Sequence, residues 1–333
     1  MRLHGLDLAR FLAFLGMVLV NFRIVADVNW DTSIATQLID TTEGRAAALF
    51  VILAGIGMSL GRPDHWRILK RAAVLFCLGM LNQLIFPADI IHYYALYFIV
   101  GVTFLNQSSG RLIIGSIGIT LIGMVLMLVF DFDRGWNWET LEYTDFWSLT
   151  GFLRNSFFNG FHLIFPWASF LVIGLWIGRL QLSRNSVQMS LFVSGLSITV
   201  FTYVLETILI ANSEWAEMFT FAPIPPNPLY VLTATGSALF VLGCALWITP
   251  KIESFELTQS ILKAGRMSLT LYFAHILLGM GFMESMGWVK GYLSPTELIG
   301  YSTAFCIGCV AFAVIWMRKQ TRGSFEWVLF KLA

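Results

Sequence analysis

Apolar residues run along this chain in long unbroken stretches, not in the alternating or one-sided patterns of soluble strands and helices. Ten stretches approach the length a helix needs to cross the hydrocarbon layer, about 20 mostly apolar residues. They cover 8–26, 44–61, 71–87, 90–107, 111–130, 160–179, 187–210, 229–249, 265–286 and 297–317. None alternates apolar and polar positions as a membrane-spanning strand does, so a helical bundle is expected and a closed β-barrel is not. The pattern predicts an all-α integral membrane protein, a bundle of about ten transmembrane helices. Residues 1–333 read as a single polytopic transmembrane domain, with no linker, low-complexity tract or evident internal repeat.

Composition sharpens this picture. The chain is 57% hydrophobic and 12% charged, against about 25% charged in a soluble domain. So few charges cannot cover a soluble surface, and the lipid bilayer is the first expected partner. A net charge of +1 offers no basic field for nucleic acid. The first stretch resembles a secretory leader, but Asp7 interrupts its basic region and no small-x-small cleavage site follows. A retained first helix is the expectation. With the N-terminus inside, sixteen of the 21 Lys and Arg residues fall on the inner side and five on the outer. That asymmetry predicts both termini in the cytoplasm of a multi-pass protein of the cell (inner) membrane. Acids and tryptophans gather outside, chiefly between Asp131 and Trp147. The run Ala222–Pro228 carries four prolines and cannot be helical throughout.

Ionisable groups in or beside spanning helices are costly, so each asks for a role. Asp7 and Arg10 lie three apart, on one helical face, as an anchoring ion pair or part of a ligand site. His92 and His162 each open a predicted helix at the outer face, and Asp89 precedes His92 by three residues. Histidine exchanges protons near neutral pH, which suits a base. Cys306 and Cys309 imitate a redox pair but sit inside an apolar run, where packing is the simpler role. No nucleophile elbow, Walker loop or zinc-ligand spacing occurs, so no metal is expected. The glycines from Gly55 to Gly57 and from Gly174 to Gly178 read as close helix packing rather than phosphate loops.

Several motifs form an ordered set. Leu6-Asp7-Leu8-Ala9-Arg10, ahead of a helix ending Val20-Asn21-Phe22, resembles the opening of the YeiB-like membrane protein family. Arg45 before Leu49-Phe50-Val51-Ile52-Leu53-Ala54-Gly55 is similar to its second helix. Asp89-Ile90-Ile91-His92-Tyr93 looks like a further family segment, as does Asn159-Gly160-Phe161-His162 through Pro166-Trp167 to Gly178-Arg179. Gly265-Arg266-Met267-Ser268-Leu269-Thr270-Leu271-Tyr272 and the terminal Gly323-Ser324-Phe325-Glu326-Trp327 complete the series from end to end. That family resembles the wider group of transmembrane acyltransferases, which includes heparan-α-glucosaminide N-acetyltransferases and bacterial sugar O-acyltransferases.

The resemblance implies transfer of an acyl group, with acetyl the expected one, from cytoplasmic acyl-CoA to an extracytoplasmic glycan or small amine. Arg10, Lys263 and Arg266 would hold the anionic nucleotide of acyl-CoA, with Gly265 opening a helix whose free N–H groups favour phosphate. His162 would be the general base, with His92 oriented by Asp89 in reserve. Asn21, Arg45 and Asn159 would bind substrate, an asparagine amide holding the thioester oxygen. There are departures from the wider group. Its sugar O-acyltransferases end the first helix with a histidine where this chain has Asn21, and residues 23–43 contain no histidine. A transporter or flippase, with Glu206 and His275 as relay groups, is the alternative, although neither inverted repeats nor broken helices are evident in the sequence. A scaffold without catalysis and a homodimer also remain open.

Overall fold

The computed structural model describes residues 2–28, 31–61, 64–212 and 220–332. Fifteen α-helices are described, and strand is confined to a two-residue hairpin. The first is α1 (His4–Ala26), followed by the short α2 (Ile34–Asp40), α3 (Arg45–Gly61), α4 (His65–Gln83), α5 (Ile91–Phe104) and α6 (Ser109–Val129). The loop beyond α6 folds as a hairpin, β1 (Trp136–Asn137) antiparallel to β2 (Glu142–Tyr143). Next come α7 (Leu149–Arg154), α8 (Ile164–Ile177), α9 (Asn185–Asn212) and α10 (Pro228–Ile252). The proline run ends by placing Pro228 in the first turn of α10, where a missing N–H costs nothing. The chain closes with α11 (Glu256–Gly265), α12 (Ser268–Ala274), α13 (Gly281–Ser285), α14 (Pro295–Trp316) and α15 (Ser324–Leu332).

Six helices among the described residues are long and apolar enough to cross a membrane, or up to eight spans if each of two bent pairs counts as one. The two remaining predicted spans fall short for separate reasons. The helix α4 carries Arg67, Lys70 and Arg71 near its start. The helix α5 has 14 residues, which rise about 21 Å against a hydrocarbon core of about 30 Å. In α6, α9 and α14 only 22%, 17% and 28% of the apolar window is buried within the protein. Those helices therefore turn most of their apolar surface outward, as lipid-facing helices do.

The bent pairs differ from the sequence expectation of unbroken helices. In one, α7 runs into a π-helical turn (Asn155–Asn159), the chain turns at 160–163, and α8 leaves at 55°. Phe165 has non-helical dihedrals one residue before Pro166, and this displaces the helix start that the sequence suggested. In the other, α11 stops at Gly265 and the next helix leaves at 76°. It comprises α12, a π-helical segment (His275–Met280) and α13. Gly265-Arg266 is thus the elbow of a bent helix pair and not the opening of an unbroken helix.

The helices pack as two compact units. The first comprises Met1–Phe50, Leu182–Gly195 and Ser237–Lys331; α1 packs there against α11, α12 and α14. The second comprises Val51–Gln181 and Leu196–Gly236, with α5 packed on α4 and α8, and α6 on α8. Gly55 of α3 and Gly174 of α8 meet at a crossing too close for a side chain on either: a Cβ at Gly55 would lie 2.9 Å from the Gly174 Cα. This is helix packing, as the glycine spacing suggested. Cys306 and Cys309 are buried free thiols on α14.

Candidate functional site

In the first unit, a cavity of 570 Å³ opens where α1 begins and where α10 and α11 end. Its ionisable lining is Arg2, His4, Asp7, Glu253, Lys263 and Arg266. The Asp7 carboxylate is buried and joins two cations, Arg2 Nε at 2.8 Å and Arg10 Nη1 at 2.8 Å. The predicted Asp7–Arg10 pair therefore exists, but Arg10 is committed to it and does not line the cavity. His4 Nδ1 lies 2.9 Å from Glu253 Oε2. Arg266 donates one Nη2 bond to the Thr321 carbonyl at 3.1 Å. Lys263 has no polar partner among the described residues. Three cations thus face the cavity against two carboxylates, one of them already shared with Arg10, which suits a polyanion. Gly265 belongs here for a steric reason: a Cβ would run into the Asp7 backbone carbonyl. Without that close approach α11 could not bring Lys263 to the start of α1.

The helix N-terminus expected to cradle phosphate is already filled. Glu326 of α15 accepts from the N–H of Leu269 at 2.7 Å and of Thr270 at 3.2 Å, and from the Thr270 hydroxyl at 2.5 Å. A carboxylate at the first turn of α12 satisfies its free N–H groups and complements its dipole. An anion at this end would therefore meet side-chain cations and not free N–H groups.

Deeper in the same unit, Asn21 Nδ2 lies 2.9 Å from His275 Nε2. His275 Nδ1 bonds the Tyr272 carbonyl, so its proton sits on Nδ1 and Nε2 accepts from the amide. The ring is fully buried between Phe14, Phe22 and Tyr272 at the start of the π-helical segment. Sequence reasoning named both residues and could not pair them, because 254 positions separate them. Arg45, at the start of α3, donates to the Thr41 carbonyl at 3.2 Å beside the Arg23–Glu43 ion pair.

The second unit brings Asp89, His92 and His162 into one neighbourhood. Asp89 is fully buried and accepts from Asn82 Nδ2 at 2.7 Å and from the N–H groups of Ile91 and His92 at 2.8 and 3.2 Å. His92 Nδ1 lies 3.3 Å from Asp89 Oδ2, which leaves Nε2 buried with no hydrogen-bond partner. The Tyr93 ring links the histidines, 3.9 Å from the His92 ring and 5.9 Å from that of His162. Its hydroxyl donates to Asn155 Oδ1 at 2.5 Å. His162 stands in the turn between the two halves of the bent span, edge-on to Trp167 at 4.7 Å, with Nδ1 buried and without a hydrogen-bond partner. Its backbone carbonyl accepts from the Tyr97 hydroxyl.

Asn159 closes the π-helical turn, three residues before His162. Its amide donates to the carbonyls of Phe132 and Arg134 at 2.8 Å each, and its oxygen accepts from Tyr143 at 2.7 Å. Both donors brace the hairpin loop, and none is left for a thioester. A further 880 Å³ cavity in this unit, lined by Asp64, His65 and Arg179, is less suited to an anion. Its Arg179 already donates to the carbonyls of Leu105 and Gln107 at 2.9 and 2.5 Å.

Residues 2–201 match the family described as heparan-alpha-glucosaminide N-acetyltransferase, catalytic. Residues 176–333 match a protein family of unknown function, DUF418. The chain is 24% identical over 312 residues to the uncharacterized protein YeiB of Escherichia coli (strain K12), an overlap of 84% of this chain and 79% of that protein.

Proposed function

We propose that this chain, which belongs to the heparan-alpha-glucosaminide N-acetyltransferase catalytic family in its YeiB-like form, is a transmembrane acyltransferase. Its donor is acyl-CoA, acetyl-CoA the expected one, and its acceptor an extracytoplasmic glycan or small amine. The observation that carries the proposal is the 570 Å³ cavity faced by Arg2, Lys263 and Arg266. Three cations on one shaped cavity, Lys263 among them without a side-chain partner among the described residues, suit the phosphates of a nucleotide. In this reading the chain crosses the inner membrane ten times with both termini cytoplasmic, as supported by the sixteen-to-five division of Lys and Arg. The cavity then faces the cytoplasm, where acyl-CoA is made. His162, or His92 held by Asp89, takes the proton from the acceptor hydroxyl or amine as that atom attacks the thioester carbonyl. The carbon–sulfur bond breaks and coenzyme A leaves as the thiolate.

The decisive measurement is acetyl-CoA binding to the purified protein. Replacing Arg266 with Glu adds a repulsive charge where an attractive one stood, and binding is expected to weaken by about tenfold or more. Unchanged affinity in folded protein would remove this cavity as the donor site.

A second reading has a specific observation behind it. Two helix pairs are bent, at 55° and 76°, and discontinuous helices are the habit of transporters. Acetyl-CoA-dependent modification of an acceptor by reconstituted protein separates the two readings, since a transporter would move solute and leave acyl-CoA intact.

A further inference from the structure

A smaller cavity of 230 Å³ lies in the second unit beneath the β1–β2 hairpin. Its walls include Gln83, Trp136, Glu142, Tyr143, Trp147 and Asn155. The lining has a consistent chemistry. Gln83 Nε2 donates to the Pro87 carbonyl at 3.0 Å, which fixes the amide so that Oε1 turns the other way. That oxygen is buried, with no hydrogen-bond partner among the described residues and no surface open to the cavity, so the Glu142 carboxylate is the acceptor a ligand can reach. The Glu142 side chain makes no ion pair or hydrogen bond among the described residues. The Arg154 guanidinium, which meets the lining residue Tyr143, is held by Asp145 at 2.5 Å and by the Tyr143 hydroxyl at 2.7 Å. The lining thus offers a carboxylate and aromatic rings, with no cation of its own. Those two features together select a cation that donates N–H bonds.

The surroundings indicate where such a cation comes from. Leu84 and Ile85, between the lining residues Gln83 and Pro87, are 68% and 61% exposed. Trp147 is 64% and Leu149 is 75% exposed. Large apolar side chains turned outward around the mouth of a polar cavity suit a ligand whose head is polar and whose remainder stays in lipid. Tryptophans are at home at headgroup level. The volume is below that of drug-sized pockets, about 300–1,000 Å³, and fits one small head.

From this we infer a lipid headgroup site: the cavity binds the primary ammonium of a zwitterionic phospholipid, with the Glu142 carboxylate accepting its N–H bonds and Trp136, Tyr143 and Trp147 around it. A quaternary ammonium has charge but no N–H to give, and an anionic headgroup meets the Glu142 carboxylate. The inference does not depend on acyl transfer, although Asn155 joins this cavity to Tyr93 and hence to the two histidines.

The test is native mass spectrometry of the full chain extracted from vesicles holding phosphatidylethanolamine, phosphatidylcholine and phosphatidylglycerol in equal amounts. One phosphatidylethanolamine should be retained in preference to the other two. Glu142→Gln, which keeps the shape and removes the charge, should lower that retention by about tenfold. An unaltered thermal midpoint would show that the variant folds. Equal retention of the three lipids, or undiminished retention by folded Glu142→Gln protein, would overturn the site. Free glucosamine binding more tightly than the lipid, read by tryptophan fluorescence, would overturn the lipid source. Acetyl-CoA binding, measured on the same samples, reports on the donor cavity separately, so failure of one proposal leaves the other standing.

Discussion

His162 and Asp89 show how differently two residues of one neighbourhood respond to truncation. The hydrogen bond at His162 uses its backbone carbonyl, which any residue keeps, and its Nδ1 has no hydrogen-bond partner to lose. His162→Ala is therefore expected to fold and to bind acetyl-CoA, while acyl transfer falls by about 10²-fold or more. Full transfer by that variant would dismiss His162 as the base. Asp89 instead accepts from one side-chain amide and two backbone N–H groups inside the protein. Asp89→Ala would strand those buried donors at a cost of about 1–3 kcal/mol each. Its expected result is a sharp fall in the thermal midpoint, which would mask any catalytic effect; Asp89→Asn, which keeps one acceptor oxygen, should fall less. The Asp89–His92 spacing was legible because it is local. The Asn21–His275 contact was not, since nothing within one turn of either residue points to the other.

Among the elements, the α11–α12 elbow is the most consequential departure from expectation. The run 265–286 has the hydropathy of a continuous helix, and hydropathy does not register a bend. The bend is held by contacts from the far end of the chain: Glu326 on the first turn of α12, Arg266 on the Thr321 carbonyl, and Phe325 stacked 4.2 Å from Phe273. Burial raises the Glu326 carboxyl above its usual range, against the lowering effect of the Thr270 hydroxyl and the α12 amides. A raised folded-state pKa favours the protonated form on folding. That contribution is whole below the unfolded value of 4.5 and is lost as pH rises through the folded value. Glu326→Gln, which imitates the protonated acid, should therefore flatten the fall in thermal midpoint as pH rises from about 4.5 to 8. A slope as steep as in the parent protein would show that Glu326 is not the titrating group.

For the whole molecule, the clearest prediction is topological. A reporter fused after Lys331 should read as cytoplasmic, and one placed in the hairpin loop near Glu139 as external. An external reading at the C-terminus would break the ten-crossing arrangement and take the donor cavity away from its substrate. By itself the sequence determined that this is an all-α membrane protein, where its apolar helices lie, and which family motifs it carries. Hydrophobicity and backbone propensity act over one or two turns, so they can be read in chain order. Only the tertiary structure decided that two helix pairs are bent, that Glu326 occupies the anion site first offered to phosphate, and that Arg2 and Glu253 join Lys263 and Arg266 around one cavity. Each of those outcomes depends on groups dozens to hundreds of residues apart. Electrostatics and close packing are set by distance in space, which chain order does not record.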